Sequence, residues 1–500
     1  MGTKLLKIQF FIQLKIKKLR KFLSGLSVSE EIDLLKVNNK TIIAPAGYGK
    51  THLIAQAIKN NESGKPILVL THTNSGVASL REKLNKLDVP KINYKLFTID
   101  GWGICLSKLF SARTGINPNV IKILNPNNDY TLIRKAVCKF LKDGYINDIL
   151  SASYSRLIVD EYQDCLISQH AIVYHASKAL NTCVLGDPLQ AIFGFNDNKL
   201  ADWNEHVLKH FPLHRELKIP WRWNNADSKS LGVWLKNVRD SLLNKKSIDL
   251  RDAPKEAVKW IQLNGTDTDF NKQVDACNIE LPTKNGRVLI IGNSIDAESR
   301  HRFARAVNGI ESIEAVDLRE LIKFAQGFKL ENNDALANLI KFAENLMTNT
   351  GLVGLLERVE SLTNDSTSNV TSAAASFIEK PSYLNVRNLL VEINKQAGVH
   401  TYRPTIFKVC IEALNICINS EKASFLDTAL SIREKNRVLG RILPKRAIGS
   451  TLLLKGLEAE VSVILNADDF KTREDLYVAI TRGSKLLIIC SREPLLNLVL

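Results

Sequence analysis

Residues Leu157-Ile158-Val159-Asp160-Glu161-Tyr162-Gln163-Asp164 join a short apolar run to adjacent carboxylates. Such a run reads as a buried parallel strand that delivers its acids at the C-terminal edge of a sheet. There one carboxylate can hold Mg²⁺ and the next can polarise an attacking water, which assigns the metal to Asp160 and the water to Glu161. Upstream stands Ala44-Pro45-Ala46-Gly47-Tyr48-Gly49-Lys50-Thr51, between the apolar Thr41-Ile42-Ile43 and a helical stretch beginning near His52. A loop in that position aims backbone N–H groups and a helix N-terminus at phosphates. Lys50 adds a point charge for β- and γ-phosphates, and Thr51 a hydroxyl for Mg²⁺. The first glycine of the G-x-x-x-x-G-K-[ST] pattern is Ala44 here, so Gly47 and Gly49 are left to relieve the tightest part of the loop. Each stretch alone could be a solvated acidic turn or an ordinary glycine turn. Their succession points to nucleoside triphosphate hydrolysis with Mg²⁺, and a third part completes it.

That part is Leu185-Gly186-Asp187-Pro188-Leu189-Gln190, the end of another buried strand, which puts Gln190 near the γ-phosphate as a sensor of its presence. Just beyond, Phe193 and Phe195 share one face of a short extended segment. Bases of a single strand stack on such rings at roughly 1–3 kcal/mol each; the alternative is that both rings are core.

A chain of 500 residues, 45% hydrophobic and 24% charged, is globular with room for three or four domains. Its net charge of +16 calls for a polyanionic partner, nucleic acid first and an anionic membrane surface second. Eight cysteines without CxxC pairs or His-Cys metal spacing read as reduced thiols of a cytoplasmic protein, which argues against a zinc or iron–sulfur site. No uncharged apolar stretch is long enough for a transmembrane helix. Residues 1–25 form a basic amphipathic segment carrying Lys4, Lys7, Lys15, Lys17, Lys18, Arg20 and Lys21 among Leu, Ile and Phe, with no acid. Its lysines break a secretory apolar region, and Leu6 fails the myristoylation pattern. The segment either touches DNA, a membrane surface or a partner, or covers the core as a solvated helix.

Apolar runs at 41–43, 67–70, 157–159, 183–185, 288–291, 461–465 and 486–490 alternate with helical patterns, which predicts two parallel-sheet α/β domains. The expected division is a first core domain over 26–215 with a helical insert at about 104–150, and a second over 216–308 plus 441–500. Between the halves of the second, 309–440 carries helix-period stretches (Asp317–Phe328, Ala335–Met347, Val386–Lys395) and reads as a helical insertion. Within it, Ser361–Ser376 is rich in Ser, Thr and Asn and reads as a loop.

The order of these motifs resembles superfamily 1 helicases of the UvrD/Rep type. Ala44–Thr51 resembles their motif I, Leu68–Asn74 motif Ia and Leu96–Trp102 motif Ib. Asp160–Asp164 is similar to motif II, Gly186–Phe195 to motif III and Pro220–Trp223 to motif IV. Ser450–Glu458 and Leu476–Arg482 resemble motifs V and VI, so the resemblance spans about 40–308 and 445–491. It implies two RecA-like P-loop parallel-sheet domains with helical insertions, driven by ATP and Mg²⁺. It implies that Gln190, Arg222 and Arg482 contact the γ-phosphate, the arginines arriving from the second domain as fingers worth about 10³–10⁵ in rate. Arg222 could instead sit in a structural ion pair. Glu458 matches a glutamate near the ribose, and His72, Thr73, Asn74 and Thr98 match strand-contacting positions. The departures are Ser29 where the adenine-reading glutamine belongs, His72 for a common phenylalanine, Leu452 for a common histidine and Phe195 for a common tryptophan. The resemblance implies an ATP-dependent helicase or translocase on single-stranded or tailed duplex DNA, running 3′ to 5′. The inserts look compact and no nuclease domain is expected after Arg482. Compact relatives stand beside nucleases in bacterial antiviral systems, so a rival expectation is a DNA-gated ATPase switch serving a nuclease or other effector partner.

Overall fold

The computed structural model describes residues 32–497, apart from 122, 124, 195–198, 316, 361–367, 421–422 and 440–443. The basic segment 1–25, Ser29 and Phe195 therefore lie outside the described residues. Two six-stranded sheets carry the chain. The first is built from β1 (Lys40–Ile43), β2 (Ile67–Thr71), β3 (Tyr94–Thr98), β4 (Leu157–Val159), β5 (Thr182–Gly186) and β6 (Leu213–Glu216). Its spatial order is β3-β2-β4-β5-β1-β6 with every pair parallel. The second is built from β7 (Val258–Gln262), β8 (Val288–Ile291), β9 (Ile310–Ser312), β10 (Arg446–Gly449), β11 (Ala459–Ile464) and β12 (Gly483–Ser491), in the order β9-β10-β8-β11-β12-β7 and again all parallel. These are two RecA-like α/β domains with helical insertions.

Strands buried on both faces must be apolar throughout, and β2, β4 and β5 have no exposed residue. Register then fixes the chemistry: Ile43 pairs with Gly186 and Leu70 with Val159, so the loops after β1, β2, β4 and β5 open along one edge. Strands absent from the apolar runs are mostly the sheet edges β3, β6, β7 and β9. Edge strands meet solvent, and residues such as His214, Arg215, Lys259 and Glu311 interrupt their hydrophobicity. The strand β9 thus falls within the stretch read as helical.

The first insertion runs from Ile99–Leu109 through Asn147–Ser153 and packs Ile133, Val137 and Phe140 against Trp102. The larger one has its own core, with Leu321, Leu339, Leu390, Ile406 and Leu414 fully enclosed. Part of the presumed loop Ser361–Ser376 is helical there. Ser368 caps the helix Asn369–Glu379 by accepting from the Thr371 N–H at 3.2 Å, and Val370, Ala374 and Phe377 line its buried face. A Ser/Thr-rich composition concealed that period. All eight cysteines are free thiols, so packing and polar contacts hold the fold without cross-links. Among the described residues no helix is long and apolar enough to cross a membrane.

The larger insertion is fastened to the second sheet by Arg403. Its guanidinium grips Glu314 through Nε at 2.6 Å and Nη2 at 2.9 Å, and also pairs with Glu320. Next to it the Ser312 N–H at the end of β9 donates to the Tyr402 carbonyl at 2.7 Å. Arg403→Ala leaves the enclosed Glu314 without its cation, a change that costs about 3–5 kcal/mol for buried pairs. Thermal and urea unfolding should show a clearly lowered midpoint; a midpoint equal to wild type would mean that the insertion is held by apolar contact alone.

Candidate functional site

The loop from Ala44 to Gly49 leaves β1 and enters the helix Lys50–Lys59. Gly47 and Gly49 take φ of +78° and +88°, angles that a side chain strains to reach. Ala44 is not among the left-handed residues, and its N–H donates to the Gly186 carbonyl at 2.8 Å, so alanine is accommodated where the pattern has glycine. The segment Pro220–Asn225 lies directly over this loop. The Arg222 N–H donates to the Gly47 carbonyl at 2.9 Å, and a Cβ on Gly49 would stand 3.0 Å from the Trp221 indole. Neither glycine can therefore gain a side chain without moving that cover.

Lys50 points from the loop to the end of β4, with its ammonium 2.9 Å from Asp160 and in contact with Glu161. Burial alone would lower the lysine pKa, but the two carboxylates outweigh it and hold the pKa above its ordinary value. Burial raises the Asp160 carboxyl; for Glu161 the opposing pull of Lys50 and Lys455 prevails and takes it down to about 2. Glu161 itself is left-handed at φ +54°, an uncommon conformation for a non-glycine residue. Gln163 holds it there: its amide N–H donates to Glu161 at 2.6 Å while its carbonyl accepts from the Asp187 N–H at 3.0 Å.

The second domain reaches into this cluster. The Lys455 ammonium pairs with Asp164 and with the Gln190 carbonyl, and sits 5.0 Å above the Phe193 ring. Burial pushes the Asp164 carboxyl up to about 6, the nearby Lys455 limiting the rise. Phe193 in turn packs on His72 with centroids 5.1 Å apart. Arg222 pairs with Glu458 at 2.8 Å and with the Thr481 carbonyl, while its Nε is buried and unpartnered. The structure thus does place Arg222 in an ion pair, while the residue also lines the cleft shared with the loop. Glu458, held down to about 2 chiefly by Arg222, also stands 3.6 Å from Lys83. Arg482 donates to three neutral oxygens, those of Val478 at 2.7 Å, Leu457 at 3.2 Å and the Thr481 hydroxyl at 2.9 Å. Burial, with Arg222 adding, pushes it down to about 10.

Other candidates serve structure as well. Gln190 spends its amide on Asp187 at 2.9 Å. Thr73 and Thr98 cap helices, accepting from the Gly76 and Gly101 N–H groups at 3.0 and 2.9 Å. Every described residue proposed from the sequence nonetheless lines one cleft of about 2460 Å³ between the domains, from the loop to His72, Asn74, Thr98 and Phe193. Missing from the sequence-based set were Gln163, Lys455, Trp221 and Arg239. The first three stood inside the motif stretches, whereas no motif marks Arg239.

A polar relay lies behind Glu161. The Tyr162 hydroxyl is 2.8 Å from His170 Nδ1, and His170 Nε2 is 2.8 Å from His210 Nδ1. Burial, aided by His210 and His206, lowers His170 from 6.5 to about 4. A depressed histidine resists protonation in the folded state, so the stability it lends is present above pH 6.5 and is lost as pH falls towards 4. Melting temperature measured between pH 7.5 and 4.5 should therefore drop more steeply for wild type than for His170→Gln. Parallel curves would remove His170 from the acid response.

Residues 121–206 match the family model of the UvrD/REP helicase N-terminal domain. The resemblance to UvrD/REP-type superfamily 1 helicases carried by the motif order accordingly stands. No curated protein matches the chain. A solved complex of the arterivirus nonstructural protein 10 helicase with DNA is similar at 10% identity and a TM-score of 0.34. That similarity covers 94% of this chain and 64% of the other, so the chain spans less than two thirds of its neighbour's length.

Proposed function

We propose that the chain is an ATP-driven helicase or translocase on single-stranded DNA, moving 3′ to 5′ as its resemblance suggests. The observation that carries the reading is the presence of two second-domain arginines in the cleft that the loop lines, one with a buried free N–H and the other bonded only to neutral oxygens. A buried cation without a carboxylate is costly, and a phosphate anion in the cleft relieves that cost. The residues also fit Mg²⁺: Asp160 and Thr51 are hard oxygen donors beside Lys50, and the Oδ1 atom of neighbouring Asp164 is buried without a partner. Asp160 and Thr51 would hold Mg²⁺, which would supply neutralisation of the charge on the phosphate oxygens.

Lys50 serves as a gate on the base. Its ammonium now neutralises Glu161, and turning to phosphate oxygens would release that carboxylate to take the proton of an attacking water. Arg222 and Arg482 then stabilise the charge that develops on the transferred group. Trp221, 41% exposed beside the loop, offers an apolar face to a nucleobase. On the far side of Lys455, Phe193 and His72 present rings to a strand crossing both domains.

Glu161→Gln should retain nucleotide and Mg²⁺ binding while losing about 10²–10⁴ in turnover, and Lys50→Ala should lose both binding and turnover. Fluorescent-nucleotide titration beside a phosphate-release assay separates them. If Glu161→Gln hydrolyses ATP at nearly the wild-type rate, Glu161 is not the base. Single-stranded DNA should stimulate hydrolysis, and its affinity should fall with salt at a log–log slope of about −0.7 per phosphate contacted. Strand displacement on 3′-tailed duplexes is the decisive assay. Stimulated hydrolysis without displacement would instead support a DNA-gated ATPase switch, and hydrolysis indifferent to DNA would overturn both.

A further inference from the structure

We infer that Arg239 is a positioning residue which sets Asp187, and through it Gln190 and Glu161, so that the hydrolytic groups are aligned only when the domains are docked. The inference rests on the hydrolase reading above and adds a residue that none of the motif stretches contains.

Arg239 belongs to the helix Lys229–Leu243, whose Leu231, Trp234, Leu235, Val238 and Leu242 are buried in a core shared with the second sheet. From that face its guanidinium crosses to the turn after β5 in the first domain and pairs with Asp187 Oδ1 at 2.6 Å. Its Nη2 reaches Glu216, at the end of β6, at 3.2 Å, and the guanidinium lies 5.5 Å from the ring of Tyr477. One side chain thus joins the turn carrying Gln190, the last strand of the first sheet and the helix preceding Arg482.

The polar atoms of Asp187 are committed in three directions. Oδ1 takes Arg239 and, at 3.2 Å, the Leu189 N–H; Oδ2 takes the Gln190 amide at 2.9 Å; its N–H goes to Gln163, whose own amide grips Glu161. Asp187 is fully buried, so water cannot replace a lost guanidinium. Without Arg239 the carboxylate must find another donor, and the nearest adjustable one is the Gln190 amide already bonded to it. The consequence falls first on the orientation of Gln190 and Gln163 rather than on nucleotide capture: neither Arg239 nor Asp187 bonds the loop after β1, and Lys50 meets the network only at its far end, on Glu161. Buried networks of this kind are worth more than their separate pairs.

The test compares Arg239→Gln, Arg239→Lys and the double variant Arg239→Gln/Asp187→Asn, which leaves no lone buried charge and so protects folding. Steady-state ATP hydrolysis with saturating single-stranded DNA is read as kcat and KM, beside the melting temperature of each protein. The expected result is a kcat at least about tenfold lower in Arg239→Gln and in the double variant, with KM for ATP within about threefold of wild type. Arg239→Lys, which keeps the charge, should recover part of the loss. A double variant with wild-type kcat, or losses seen only in melting temperature, would overturn the inference while leaving the hydrolase reading intact. A wild-type protein that hydrolyses nothing would overturn both.

Discussion

The enclosure of one ammonium by two carboxylates at the end of β4 is the constraint from which the rest of the site follows. Lys50, Asp160 and Glu161 share one largely enclosed cluster, in which the two carboxylates hold the ammonium charged and Lys50 draws Glu161 down while burial raises Asp160. That arrangement demands a loop tight enough to bring Lys50 to the strand end, hence the left-handed Gly47 and Gly49. It also demands a left-handed Glu161, an uncommon backbone conformation sustained by Gln163 bridging β4 and β5.

The second domain supplies what the first cannot. Lys455 reaches Asp164 and the Gln190 carbonyl, Arg222 lies over Gly47, and Arg239 enters the fully buried environment of Asp187. All three cross the same boundary to residues of the first domain. The apolar contact beneath them joins Ala46, Tyr48 and Leu189 of one domain to Trp223, Trp234 and Tyr477 of the other. Directional ion pairs sit on a non-directional apolar contact, so small rotations between the domains disturb the polar geometry before they expose much apolar area.

The loop after β1, the acids after β4 and the turn after β5 were legible because each follows an apolar run that only a buried strand explains. The two-sheet architecture was legible for the same reason. What escaped was the material without that contrast: the edge strands, whose polar residues break the run, and the helix Asn369–Glu379, whose serines and threonines masked its period. Arg239 escaped for a deeper reason. It lies in a helix whose pattern announces only amphipathicity, and its importance comes from a partner some fifty residues away in sequence, on another domain. A sequence read locally can nominate residues next to strand ends, but it cannot nominate the arginine that a folded interface brings to them.

The distribution of unpartnered atoms carries the reasoning one step further. Buried groups lacking a bond in the described residues include Arg222 Nε and Asp164 Oδ1, whose residues line the cleft between the domains. Others lie away from that cleft, among them Ser107 Oγ, Asn147 Oδ1, Arg156 Nε and Ser462 Oγ, whereas Arg403 bonds through Nε, Nη1 and Nη2. Leaving a buried donor or acceptor unmade costs about 1–3 kcal/mol, a cost that the Arg222 and Asp164 atoms incur inside the cleft. An anion with its cation could satisfy the Arg222 donor and the Asp164 acceptor together. On the proposed reading, the stability forgone there would become binding energy for a nucleotide, and because Arg222 and Asp164 belong to different domains, that energy would also press the domains together.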